Sequence, residues 1–110
     1  MKLYFYFLER PYSKDPFIRF EECEVIEKLK TYYPVDKFPT GIYRSFIRKG
    51  EIGDFLDRYS QNAIVMDKND PKKATELFEE CSERKIEEFN RNILIEKSIL
   101  KAVEDYRKNG

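Results

Sequence analysis

Residues 70–108 read DPKKATELFEECSERKIEEFNRNILIEKSILKAVEDYRK, and the rest of the chain is arranged around them. Asp70 can accept hydrogen bonds from the free N–H groups of a first helical turn, and Pro71 suits the first helical position. No Gly or Pro follows until Gly110, and strong helix formers dominate the run. The sequence therefore predicts one helix, roughly 55 Å long at about 1.5 Å per residue. A domain of this size has a radius of gyration near ~13 Å, so the helix is expected to cross it and extend past it.

The residues before this helix predict a β-rich meander. Residues 3–9 are apolar on both alternating faces, which indicates an inner strand. Residues 17–35 fit strand and helix spacing alike, and we interpret them as one long twisted strand with a bulge near Glu21-Glu22. Further strands are predicted at 42–47 and 62–67, with hairpin chemistry at Lys49-Gly50. Residues 54–61 fit a short strand, a helical turn or a loop.

The fold class that follows is α+β: an antiparallel sheet of four or five strands followed by one long C-terminal α-helix. We predict a single domain over residues 1–110, divided into a β-rich meander (1–69) and the helix (70–109). No linker, internal repeat or low-complexity segment interrupts the chain.

The helix carries more apolar side chains than one sheet can cover. Its first half has a single narrow stripe, which we expect to sit on the sheet and which is formed by Ala74, Leu77, Phe78 and Cys81. Its second half has two stripes, from which we predict an oligomer or partner interface at Ile86, Phe89, Ile93, Ile95, Ile99, Leu100 and Val103. The preferred interpretation is a homo-oligomer, as an antiparallel helix pair or small bundle. One alternative is a break near residues 90–92 that gives a helical hairpin, and another is a docking surface for a different protein.

Charge and composition narrow the class of partner and the compartment. Lys+Arg 21 balances Asp+Glu 21, and the balance holds separately in residues 1–70 and 71–110. This argues against nucleic-acid and membrane-surface binding. No apolar run approaches the ~18 residues of a membrane span. We expect a cytoplasmic protein in which Cys23 and Cys81 are reduced thiols, with a single disulfide as the alternative.

The sequence lacks many of the residue patterns that enzymes use. It has no histidine, which removes Ser-His-Asp triads, Cys-His pairs and every His-containing metal site. Its glycines match neither the P-loop nor the dinucleotide fingerprint, and its two cysteines offer no CxxC spacing. Only Asp54, Asp57 and Asp67 are candidates for carboxylate–Mg²⁺ chemistry. We therefore predict a non-enzymatic protein with no catalytic residues, no metal site and no cofactor.

Aromatic and basic side chains interleave between the predicted strands, which suggests a ligand site. The arginine fork beside a tyrosine ring can hold a phosphate or stack on a base. The candidate ligand-binding residues are Tyr43, Arg44, Arg48, Arg58 and Tyr59. The alternative is a mixed surface in which these arginines pair with Glu51, Asp54 and Asp57.

Five segments, taken in order, resemble small accessory proteins of bacteriophages and mobile elements of Gram-positive bacteria. They are Phe17-Ile18-Arg19-Phe20-Glu21-Glu22-Cys23-Glu24-Val25, Gly41-Ile42-Tyr43-Arg44, Gly50-Glu51-Ile52-Gly53, Ala63-Ile64-Val65-Met66-Asp67 and Asp70-Pro71-Lys72-Lys73-Ala74. The resemblance implies a host-cell cytoplasmic setting and a stoichiometric inhibitor of a host defence protein, anti-CRISPR-like, or a sponge for signalling nucleotides. It transfers no functional residues.

The hypothesis from the sequence is a non-enzymatic phage protein that binds a host target and self-associates through its C-terminal helix. The first alternative is a small-ligand binder that sequesters a phosphate-bearing signalling nucleotide. The second is nucleic-acid binding or mimicry, for which the glutamates of the helix could form an acidic stripe.

Overall fold

The computed structural model describes residues 1–57 and 60–109. The chain forms two compact units, Met1–Thr75 and Glu76–Gly110. The strands are β1 (Lys2–Glu9), β2 (Phe17–Glu27), β3 (Thr31–Pro34), β4 (Ile47–Arg48), β5 (Asp54–Phe55) and β6 (Ala63–Met66), with a 3₁₀ turn at Lys49–Glu51 and one helix, α1 (Pro71–Asn109). The predicted α+β class is confirmed, with six strands among the described residues in place of four or five.

The six strands form one antiparallel sheet in the order β4-β3-β2-β1-β6-β5. β1 lies inside the sheet, where Phe5 is opposite Glu21 of β2 and Val65 of β6. Its apolar character on both faces agrees with burial on both, since Phe5 is buried on one face and Tyr6 on the other. The order is a meander only from β1 to β4, because β5 and β6 lie on the other side of β1.

The sheet curls, because the connection between its two edge strands is too short to span a flat sheet. β4 and β5 are the two edge strands, yet only residues 49–53 connect them. Six flat strands at about 4.8 Å spacing would put the edges about 24 Å apart. Six residue steps span at most about 21 Å when fully extended, and three of the connecting residues form a compact 3₁₀ turn. The two edges must therefore approach each other.

The curl encloses a core on the face of β1 that carries Leu3, Phe5 and Phe7. We call this the inner face. The buried residues that cluster there come from every side of the curl: Leu3, Phe5, Phe7, Cys23, Val25, Tyr32, Phe38, Ile47, Leu56 and Val65. Phe5 stacks on Phe7 with ring centroids 6.0 Å apart and meets Phe38 edge-on at 6.1 Å. On the opposite, outer face, Tyr6, Ile64 and Met66 are also buried.

The prediction of one long strand over 17–35 is wrong. The segment is a hairpin of β2 and β3, closed where the Lys28 N–H donates to the Thr31 carbonyl at 2.8 Å. No bulge occurs at Glu21-Glu22, since both residues stay in regular register with β1. The turn escapes prediction because Leu29 and Lys30 are not turn-forming residue types, and neither has a positive φ that would require Gly or Asn.

The predicted strand 42–47 and its hairpin are also wrong. Only Ile47–Arg48 is extended, and the residues before it form an irregular loop. Lys49-Gly50 begins a 3₁₀ turn that leads from one edge strand to the other, so β4 and β5 are not hairpin partners. The strand predicted at 62–67 is confirmed as β6.

The helix predicted from Asp70-Pro71 is confirmed. Asp70 Oδ1 accepts a hydrogen bond from the Lys73 N–H at 3.1 Å, which satisfies one of the unpaired donors of the first turn. Along the first-half stripe, Leu77 is half-buried, and the fully buried members are Ala74, Phe78 and Cys81. α1 is continuous through residues 90–92, so the alternative of a helical hairpin is wrong.

A hydrogen bond connects β1 to the residues that precede this helix, and its removal is expected to be measurable. Tyr6, 3% exposed, donates from its hydroxyl to Asn69 Oδ1 at 2.8 Å. We expect Tyr6→Phe to lower the free energy of unfolding by about 1 kcal/mol in urea denaturation at neutral pH, because Asn69 loses its donor.

The same variant has a pH signature. Burial raises the pKa of Tyr6 above its usual 10.0 in the folded protein. The stability that this shift contributes is therefore present below the unfolded-state pKa and lost as the pH rises through the folded-state value. Tyr6→Phe should show a shallower loss of stability in strongly alkaline solution than the wild type, and equal slopes would contradict the assignment.

Candidate functional site

The second half of α1 presents a row of large apolar side chains to solvent. Each is between 42% and 79% exposed: Ile86, Phe89, Ile93, Leu94, Ile95, Ile99, Leu100, Val103 and Tyr106. All seven predicted interface residues are in this group. From Ile86 to the end of the described helix, every residue is exposed.

Two stripes organise these side chains at 100° per residue. In the first stripe, successive residues are three or four positions apart. Its one polar member is Glu96, and its apolar members are Ile86, Phe89, Ile93, Leu100 and Val103. A neighbouring stripe is formed by Ile95, Ile99, Ala102 and Tyr106. Together they cover roughly half of the helix circumference, while Leu94 lies outside both. An apolar arc of this width is typical of a helix with more than one packing neighbour.

The first unit contains a cleft of about 610 Å³. Its walls come from β1, β2, the loop before β4, the segment between β5 and β6, and the first residue of β6. They include Phe7, Leu8, Glu9, Arg19, Gly41, Ile42, Tyr43, Arg44, Leu56, Asp57, Ser60, Asn62 and Ala63. The volume lies within the range of small-molecule sites.

Arg19 organises one wall of this cleft. Its Nε donates to Glu9 Oε1 at 2.7 Å, its Nη1 pairs with Glu21, and its Nη2 donates to the Thr40 carbonyl at 2.9 Å. Its Cζ lies 4.1 Å from the centroid of the Phe7 ring. Partial burial acts to lower the pKa of Arg19, but the two carboxylates outweigh it and leave that pKa above its ordinary value. Arg19 is thus held by contacts on several sides, and its charge is compensated.

Arg44 is also paired within the protein. Its Nη1 pairs with Glu51, and its Nη2 donates to the Leu56 carbonyl at 2.8 Å. The other carboxylate oxygen of Glu51 accepts the Arg48 backbone N–H at 3.1 Å. These contacts fasten the loop before β4 to the segments on either side of β5. The pairing of Arg44 with Glu51 is the arrangement that the mixed-surface alternative expects.

The five predicted ligand residues are only partly brought together. Tyr43 and Arg44 line the cleft, whereas Arg44 and Arg48 line a smaller groove of about 260 Å³. Arg58 and Tyr59 lie outside the described residues.

Other residues of the cleft were not predicted from the sequence. Glu9 and Arg19 come together only through the register of β1 and β2. Asn62 was not predicted either, and its buried Oδ1 has no hydrogen-bond partner among residues 1–57 and 60–109. No local pattern in the sequence marks any of the three.

Other expected features can be placed as well. Cys23 and Cys81 are both buried and are not joined in a disulfide, and burial raises the pKa of the Cys23 thiol. Within residues 1–57 and 60–109, no three Cys, Asp or Glu side chains are grouped so that they could hold a metal ion. In the same part of the chain, no helix combines the length and apolarity needed to span a bilayer.

Comparison with protein-family models, with curated proteins and with solved structures finds no significant match to this chain.

Proposed function

We propose that this is a binding protein without enzymatic activity that assembles with further copies of itself through the second half of α1. The observation that carries the proposal is the row of exposed, large apolar side chains from Ile86 to Tyr106. A contiguous apolar surface of this kind on a folded protein marks an interaction site.

The free energy available to such an assembly is large. Fully burying one Leu, Ile or Phe side chain contributes about 1.5–3 kcal/mol. Several of these side chains on each helix would be covered at once when two helices pair through steps of three and four. Part of this gain offsets the entropy lost on association, and we expect the remainder to give a complex in the micromolar range.

We expect the wild-type protein to associate in a concentration-dependent way. Sedimentation velocity from about 1 to about 100 μM brackets the affinity expected of a helix pair of this size. The weight-average mass should rise towards twice the 13.3 kDa mass of one chain, or a higher multiple. A mass that stays at one chain over the whole range would reject self-association.

The role in blocking a host defence protein, its host target, its phage origin and its cytoplasmic setting stay predictions. They rest on the resemblance and on the sequence composition. In this proposal the self-associated helix would hold two or more copies of the first unit together, which raises the effective affinity of each for a target.

A small ligand in the cleft is the second proposal. It is favoured by the cleft's volume and by the buried Asn62 Oδ1, which no described residue pairs with. A phosphate there would have to compete with Glu51 for Arg44, so the predicted phosphate-bearing nucleotide requires a rearrangement of that pair. A ligand that copurifies would add its mass to each chain in native mass spectrometry. Nucleic-acid binding or mimicry gains no support from the balanced charge.

A further inference from the structure

The charges along α1 are unevenly distributed, and this distribution favours antiparallel over parallel pairing of two copies. Residues 76–88 contain six glutamates and two basic residues. Residues 97–108 contain four basic and two acidic residues. A parallel pair would lay the acidic segments side by side, whereas an antiparallel pair lays each acidic segment towards the basic end of the other helix. Antiparallel helix dipoles add to the same preference.

Glu96 gives a second, independent reason to expect antiparallel pairing. It occupies the position in the three-four series between Ile93 and Leu100. In a parallel, in-register pair, the two Glu96 carboxylates would face each other in a single layer of the interface. Like charges at close range in an apolar interface are costly. In an antiparallel pair each Glu96 can instead lie level with Ile93 of the second copy.

The placement of Glu96 opposite Ile93 of the second copy fixes the rest of the register. With Ile93 opposite Glu96 of the second copy, every remaining layer of the series is apolar on both sides. Those layers pair Phe89 with Leu100 and Ile86 with Val103. Shifting the helices by one heptad in either direction removes at least one of these apolar layers, because the series begins at residue 86 and ends at residue 103.

We propose that two copies of this chain pair antiparallel along residues 86–103, with Ile86 of each copy level with Val103 of the other. The inference rests on the proposed function, since it specifies the partner and register of the same surface. The centre of the pair lies between Leu94 and Ile95. The two Ile86 side chains are then roughly 17 residues apart along the axis, or about 25 Å.

Cysteine crosslinking on the full chain tests this orientation. Ile86→Cys and Val103→Cys are prepared separately, one with a mass tag, and treated with a short bismaleimide either alone or after mixing and exchange. We expect crosslinked dimers in the mixture at least about tenfold above either variant alone, because only mixed pairs place the two new thiols at one level. The wild-type protein is the control for its own thiols, Cys23 and Cys81, which are buried.

Three other outcomes would overturn the orientation, the register or self-association itself. Efficient crosslinking of Ile86→Cys with itself would overturn the antiparallel orientation. An absence of crosslinks in all samples, while sedimentation shows the variants to be dimeric, would overturn the register. A wild-type chain that sediments as a monomer would instead reject self-association, on which both statements rest.

Discussion

Leu100→Glu is expected to weaken self-association by more than about 100-fold. Leu100 is exposed in the single chain and, in the proposed pair, lies opposite Phe89 of the second copy. Each dimer contains Leu100 twice, so the substitution removes two apolar contacts worth about 1.5–3 kcal/mol each when fully buried. It also places two carboxylates in apolar layers, which adds a desolvation cost. The dissociation constant is measured by sedimentation equilibrium.

Leu94→Glu is the matched control for this experiment. Leu94 is on the same helix, has nearly the same exposed fraction, 64% against 68%, and undergoes the same chemical change. It lies outside both apolar stripes, so its dissociation constant should stay within about fivefold of wild type. Leu and Glu have similar helix propensities, and neither change should unfold α1. Equal weakening by both substitutions would show that net charge, and not the stripe, controls assembly.

Phe5→Ala is expected to lower the free energy of unfolding by about 3–5 kcal/mol. Phe5 is fully buried at the middle of β1 and touches Phe7 and Phe38 inside the curled sheet. The loss is a large share of the roughly 5–15 kcal/mol that stabilises a typical domain. Urea denaturation at a fixed protein concentration measures it, since assembly would otherwise contribute to the apparent stability.

Phe17→Ala supplies the comparison for the core prediction. Phe17 begins β2 with half of its side chain exposed, so the same truncation should cost less than about 1 kcal/mol. Similar losses for the two variants would contradict the assignment of the inner face as the core.

The elements with strong local signals are predicted well from the sequence. Asp70-Pro71 supplies a cap and a first-turn residue, and nothing interrupts the helix before Gly110. The short apolar run at β6 and the aromatic alternation of β1 are equally clear. In each case one physical cause, capping or side-chain period, acts over neighbouring residues.

The errors occur where tertiary structure controls the backbone. The Leu29-Lys30 turn forms because β2 and β3 pair, and its residues carry no turn signal of their own. Residues 42–46 have a strand-like sequence, yet they pair with no strand in the part of the chain that the structure describes. Three of them line the cleft. The approach of the two sheet edges through the 3₁₀ turn depends on the whole sheet.

The candidate sites likewise divide into one that local sequence predicts and one that depends on tertiary structure. The apolar surplus of α1 can be predicted from spacing alone, because a helix face needs only its own residues. The cleft is predicted only in part, through Tyr43 and Arg44. Arg19 gives no signal in the sequence, since its role depends on Glu9 across the β1–β2 pair and on Thr40 in a distant loop.

Native mass spectrometry of the purified, untagged protein is the most decisive check on self-association. We expect a species of twice the 13.3 kDa chain mass, or a higher multiple, with no added mass. Added mass of a ligand's size on each chain would favour the cleft proposal in addition. A bare monomer, sprayed from solutions of up to about 100 μM, would contradict the proposal that another copy of the chain covers the second half of α1.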